Sequence, residues 1–121
     1  MTKPRNTLGW VFATLTFLLM AASASDKISE TQHALTMGSS FGLSAATYRL
    51  LGIIELVSAL LFLIPRTAVL GLLLLASYLG GAIATHLQHG QPIAFPVGIE
   101  VFVWVTAVIR LPEMTSRLSG R

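Results

Sequence analysis

The sequence predicts an all-α fold, an integral membrane four-helix bundle, and three observations predict it. The first is composition: 54% of the 121 residues are hydrophobic, 11% are charged, and the mean hydropathy is +0.75. Soluble domains carry roughly a quarter charged residues. The second is a set of four uncharged apolar runs, each near the roughly 20 residues a helix needs to cross a hydrocarbon core about 30 Å thick. The third is punctuation, because charge, proline or glycine stands where the runs stop. This balance excludes a soluble enzyme and a disordered chain. The absence of cysteine removes thiolate nucleophiles, disulfide exchange, iron–sulfur clusters and cysteine-bound zinc. The pI of about 10.0 rests on a net charge of only +3, which membrane topology explains better than a nucleic-acid partner, and none is expected.

The chain reads as a single transmembrane domain over residues 1–121. A first span over residues 8–25 lies between Lys3 and Arg5 on one side and Asp26 and Lys27 on the other. A second, over 47–64, stops at Pro65 and Arg66. The connection is so short that the third, over 67–87, must turn straight back beside it as a helical hairpin. The fourth follows Gly90, Gln91 and Pro92, covers 93–111, and ends at Pro112 and Glu113 before a short basic tail. Residues 26–46 are too long for a bare turn. Leu35, Met37, Phe41 and Leu43 give this noncytoplasmic loop apolar anchors, and it is expected to lie partly folded across one mouth of the bundle.

Four spans put both termini on one side, together with Lys3, Arg5, Arg66, Arg110, Arg117 and Arg121, against Lys27 and Arg49 opposite. The positive-inside rule then places both termini in the cytoplasm and the protein in the inner (cytoplasmic) membrane. Ala22-Ser23-Ala24 behind a basic start also resembles a signal-peptide cleavage site. Retention of the first span is favoured, because its apolar stretch is long for a signal core. Arg110, Glu113, Arg117 and Arg121 read as interfacial anchors that snorkel or meet anionic headgroups.

Two carboxylates fall inside the spans. Glu55 and Glu100 sit roughly 10 to 12 Å below the outer edge at about 1.5 Å per residue, where an ionisable group faces the bundle interior, finds a partner and marks function. Lys27, Arg49 and His86 lie near the same depth as candidate partners. Tyr48, Gly52, Glu55 and Ala59 share one helical face with Ser58 adjoining, and Pro96, Glu100, Trp104 and Ala107 form the equivalent stripe of the fourth span. Lys27, Tyr48, Arg49, Glu55, His86, Glu100 and Trp104 are therefore the expected ligand-binding or proton-handling residues, lining a pocket for a flat, partly apolar compound. The alternative is a structural lock in which Arg49 and Lys27 neutralise the two carboxylates. His86 and His89 alone cannot complete a metal or haem site, His33 is expected to be solvated, and no metal is expected.

In the third span Ala76, Gly80 and Ala84 repeat every four residues, with Ser77, Gly81 and Thr85 beside them. Such small-residue stripes, and Gly52 in the second span, let helix backbones approach closely in lipid. The stripe serves either a seam within the chain, the favoured use, or a homo-oligomer. No phosphate loop, zinc motif, nucleophile elbow or internal repeat is present.

The order of these motifs resembles the DoxX-like family of small four-helix membrane proteins over nearly the whole chain. The resemblance rests on the Ser/Ala-rich end of the first span followed by Lys27, on YRLLGIIELVSALLFLIPR (48–66), on AVLGLLLLASYLGGAIATHLQHGQP (68–92), and on a tryptophan-bearing span closing at IRLP (109–112). Its specific parts are R-x-x-G-x-x-E-L and GGAIATHL. By position it assigns Lys27, Arg49, Gly52, Glu55, Gly80, Gly81 and His86 to the family's polar and glycine positions. Ser23, Ala24 and Ser25 depart from it where a glycine is often found. The resemblance implies a membrane component of a quinone-linked or oxidative-stress redox system, with a soluble or membrane oxidoreductase partner beside the lipid bilayer. A quinone would then be the cofactor, and the chemistry would belong to it or to the partner. Two other classes remain in view: a small proton-coupled exporter of lipophilic compounds, which needs an acidic residue that the first span lacks before Asp26, and a non-catalytic structural subunit.

Overall fold

The computed structural model describes residues 3–120. They form six helices: α1 (Lys3–Ile28), α2 (Gln32–Ser40), α3 (Ala45–Leu63), α4 (Ala68–Gln88), α5 (Ala94–Arg110) and α6 (Pro112–Leu118), with a 3-10 turn at Pro65–Thr67 and no strand among the described residues. The all-α expectation holds, but a bundle of four helices is too simple. α2 occupies the loop expected across the mouth, and the short basic tail begins as α6.

The four long helices follow from uninterrupted apolar sequence, and the breaks have local causes. Pro65 cannot donate to the α3 ladder, so α3 ends before it. The Thr31 and Ser44 hydroxyls accept from the amides of Ala34 and Thr47, each at 3.1 Å, capping α2 and α3. A hydrogen bond from Thr31 to Asp26 pins the turn between α1 and α2. Gly42 adopts φ +70° to release the chain from α2. Of the four expected loop anchors, Phe41 is buried, Met37 and Leu43 are half-buried, and Leu35 faces outward.

α1, α3 and α4 are each long and apolar enough to cross a membrane. α5 has 17 residues, about 25 Å of helix, and bends by 105° into α6, so the fourth candidate span is this bent pair. Exposed leucines, isoleucines and valines along all four long helices form the surface that lipid would cover.

The core occupies the end of the molecule that holds the α3–α4 turn. Phe62, Leu72, Leu75, Val103 and Ala107 are buried there with Met20 and Ala59. Two glycines set the helix spacing. A Cβ at Gly52 would stand 2.8 Å from Lys27 Cβ, and one at Gly71 would stand 2.1 Å from the Phe62 amide nitrogen. α1 and α4 therefore contact α3 nearly backbone to backbone, the close approach that membrane helices use in place of hydrophobic drive. The expected small-residue seam lies elsewhere. Ser77, Gly80, Gly81 and Ala84 are exposed and Ala76 is half-buried. Among the described residues nothing lies within 4 Å of a Cβ placed at Gly80 or Gly81. At Gly80 and Gly81 the stripe therefore makes no close contact among the described residues.

Two arginines close this end. Arg110 is buried, and its guanidinium donates to the carbonyls of Phe62 and Leu63 at the end of α3 while lying 4.8 Å from the centroid of the Trp10 ring. Arg5 donates from Nε to Ile109 and from Nη2 to Val108, at 2.8 and 2.7 Å, at the end of α5. Both satisfy helix C-terminal carbonyls that have no intrahelical partner. Arg110 is thus an internal cap rather than the snorkelling anchor expected, because its own helix delivers it to the α3 terminus. Arg66 and Arg117 are exposed, whereas the Lys3 side chain and Arg121 lie outside the described residues. Replacing Arg110 by Leu is expected to lower stability by about 2–3 kcal/mol, since two buried carbonyls lose charged donors. Arg110→Lys, which cannot reproduce the fork, should fall between. Unfolding midpoints in detergent would measure this, and an Arg110→Leu variant as stable as the parent would refute the cap.

Candidate functional site

At the opposite end the helices separate around a cavity of about 620 Å³. α1 contributes Met20, Ser23, Asp26 and Lys27 to its wall, and α3 contributes Tyr48, Leu51, Ile54, Glu55 and Ser58. The α4 wall runs from Leu74 to His86, α5 adds Pro96 and Ile99 from its first two turns, and His33, Met37, Phe41 and Leu43 lie over the mouth.

The polar centre of this wall is an ion pair. Lys27 Nζ lies 3.0 Å from Glu55 Oε1, with 11% of the Lys27 and 2% of the Glu55 side chain exposed. Lys27 also donates to Ser23 Oγ at 2.6 Å, one helical turn back, and its ammonium stands 5.4 Å from the centroid of the Tyr48 ring. The Ser23 and Tyr78 hydroxyls are within hydrogen-bonding reach of the Glu55 carboxylate. Lys27 reaches Glu55 because Gly52, one turn before it on α3, lets α1 approach closely at this level. Among the described residues no buried side-chain polar atom lacks a partner.

His86 enters from α4. Its Nδ1 lies 2.6 Å from the Ala82 carbonyl. A carbonyl can only accept, so Nδ1 carries a proton and donates to it, and in the neutral ring Nε2 is then the acceptor. Phe41 packs on this ring at a centroid distance of 4.7 Å and on His89 at 6.1 Å, tying the end of α2 to the end of α4. His33 is exposed, as expected of a loop histidine, yet it borders the mouth.

The cavity therefore gathers Lys27, Tyr48, Glu55 and His86 from the residues singled out in the sequence. It omits the other three. Arg49 is exposed, because six residues from Glu55 is more than a turn and a half and points to the far side of α3. Glu100 is half-buried and accepts from the Trp104 indole at 2.9 Å on its own helix. Neither borders the cavity, so Glu100 and Glu55 share no common site. The buried face of α5 is instead Pro96, Ile99, Val103, Thr106 and Arg110, which leaves Glu100 at its edge. Sequence reasoning missed Ser23 and Tyr78, though Tyr78, Ala82 and His86 recur at i, i+4 and i+8 on one face of α4. No group of three or more histidines or carboxylates suited to a metal occurs among the described residues.

A family model, described as the DoxX-like family, matches residues 11–109. The chain belongs to the DoxX-like family. No curated protein and no solved structure matches it. The matched stretch of this DoxX-like protein contains every residue of the cavity wall and leaves α6 outside. With three helices able to cross a bilayer and a bent pair as a fourth, this DoxX-like protein is a multi-pass membrane protein in contact with lipid.

Proposed function

We propose that the protein is a four-span component of the inner membrane, a single transmembrane domain with its first span retained and both termini cytoplasmic. On this reading it binds a flat lipophilic compound of the quinone class in the cavity of its outer half and serves a redox system with an oxidoreductase partner. The observation that carries the reading is the Lys27–Glu55 pair in the wall of that cavity. A buried ion pair is a poor source of stability, because desolvation of two charges offsets their attraction. An ionisable group at membrane depth normally serves a function. The volume falls within the roughly 300–1,000 Å³ of small-molecule sites, and an apolar wall with a few convergent polar groups is their usual composition.

The donor set fits a quinone. Lys27 and the Tyr48 and Tyr78 hydroxyls can donate to its oxygens, and His86 Nε2 can accept from the reduced form. When bound, the quinone supplies reversible two-electron, two-proton chemistry. The chain's own residues hold it, keep water from it beneath α2, and take up or return protons at the Glu55 carboxylate and His86 Nε2.

The test replaces the pair as a unit. Lys27→Met with Glu55→Leu is expected to preserve the fold and to weaken binding of a short-chain quinone analogue at least tenfold, measured by equilibrium binding in nanodiscs. Glu100→Gln, outside the cavity, should leave binding unchanged. Equal binding by the parent and the double variant would defeat the proposal.

A further inference from the structure

The cavity has two faces of different character. Toward the aqueous mouth it is covered by α2 and the segment after it, with Phe41 buried against His86. Toward the side it is open. Ile54 on α3 and Leu74, Ser77 and Gly81 on α4 border the cavity, and all four are exposed. Leu74, Ser77 and Gly81 recur at i, i+3 and i+7, one face of α4.

The cause of the opening is geometric. Gly71 holds α4 against α3 at the turn, so the hairpin is clamped at one end. Toward the other end α3 packs on α1 through Gly52, and the cavity lies between α3 and α4, lined by Ile54 and Ser58 on one side and Leu74 to His86 on the other. The gap between them is a window at membrane depth, flanked by exposed Leu73 and Leu70 and kept wide by a serine and a glycine where larger side chains would close it.

The charge of the wall narrows what passes. Glu55 and Lys27 neutralise each other in the wall, with one ammonium hydrogen left to donate, whereas Asp26 keeps its charge at the end of α1 near the mouth, hydrogen-bonded to the Thr31 hydroxyl. The other polar groups at the depth of that pair are the hydroxyls of Ser23, Tyr48, Ser58 and Tyr78 and the His86 ring, while His33 lies over the mouth. A phosphate or a quaternary ammonium buried beside the Lys27–Glu55 pair would meet no unpaired opposite charge at that depth, which is costly, whereas a carbonyl or hydroxyl would be satisfied.

We propose that the ligand reaches the cavity sideways from the bilayer through the α3–α4 window between Ile54 and Ser77–Gly81, and that it is a neutral-headed lipophile whose apolar tail remains in that window. This rests on the reading of the cavity as a ligand site. The α2 cover stays shut during binding, and the head lies among Lys27, Tyr78 and His86.

The experiment uses the full chain in phospholipid nanodiscs with a benzoquinone whose decyl tail ends in a photoreactive diazirine, and with the same ring lacking a tail. Adducts on the parent are expected at Ile54, Leu74 and Ser77. Gly81→Phe, where among the described residues nothing lies within 4 Å of the new Cβ, should reduce these adducts at least tenfold with the folded yield unchanged. Gly98→Phe, an equally open glycine on α5, should match the parent. Adducts at Met37 or Leu43 beneath α2, or an unchanged adduct yield from Gly81→Phe, would overturn the window. Competition at equal strength by decyl phosphocholine or by a decyl-tailed triphenylphosphonium would overturn the neutral head. If the parent binds neither ring, the ligand-site reading itself fails and the window falls with it.

Discussion

Lys27→Met should destabilise the protein by about 3–5 kcal/mol, the largest loss expected from any single polar substitution in the chain. The carboxylate it strands is almost completely buried in α3, ten residues after Ala45 and eight before Leu63, too far from either helix end to be served by one. Breaking a buried pair leaves the full desolvation of the survivor without return. Glu55→Gln should cost less, because the amide oxygen still accepts from the ammonium. Lys27 also stands in the last turn of α1 and can swing its long stem toward the membrane surface. The double variant Lys27→Met with Glu55→Leu should lie within about 1 kcal/mol of the parent, since well-packed apolar residues commonly replace an ion pair at no loss. The result is a strongly non-additive cycle, read from unfolding midpoints in detergent against rising dodecyl sulfate. Losses that simply add would mean that the two side chains stabilise the fold independently, and the pair would lose its standing as the centre of the site.

The bundle was legible in the sequence because lipid imposes so strict a length and polarity rule on each span. The cover was legible in part. Phe41, Met37 and Leu43 mark an apolar segment too long for a turn, while the Thr31 and Ser44 caps that make it a helix are short-range signals overlooked beside the stronger hydropathy pattern. Within the site, Glu55 and Lys27 were recoverable from the cost of charge in a membrane, and His86 from its place at the end of α4. Arg49 was misplaced because depth alone was considered, and depth says nothing of azimuth: a residue at the right level on the wrong side of a helix meets lipid headgroups or water. Glu100 shows a different limit. An indole one turn ahead, at Trp104, satisfies it locally, and a carboxylate with a partner on its own helix has no need to reach across the bundle. Among the glycines, Gly52 makes the close approach expected of it, but Gly80 and Gly81 do not. GGAIATHL carries two adjacent glycines that border open space, whereas the isolated Gly71 makes the tightest contact, since spacing along one helix cannot reveal which face the neighbouring helix takes.

That contact supports the second large effect. Gly71→Ala, the smallest substitution possible, should cost about 3 kcal/mol or more, at the upper end of what overpacking produces. The added methyl would stand 2.1 Å from the Phe62 nitrogen and 2.5 Å from Leu61 C and Phe62 Cα. All of these are backbone, so no rotamer change can relieve the overlap, and α4 must move away from α3. Gain in intrinsic helix propensity returns at most about 1 kcal/mol. Because the 3-10 turn at Pro65–Thr67 joins the two helices over so few residues, separation at Gly71 must also disturb the Phe62 and Leu63 carbonyls that receive Arg110. Gly71→Ala and Arg110→Leu should therefore be less than additive in combination. Gly80→Ala is the control: it adds the same methyl to the same helix where, among the described residues, nothing lies within 4 Å, and stability should hold or rise slightly. A Gly71→Ala variant that unfolds at the same detergent composition as Gly80→Ala would show that α3 and α4 are not clamped at the turn, and the splayed hairpin that forms the cavity would lose its physical cause.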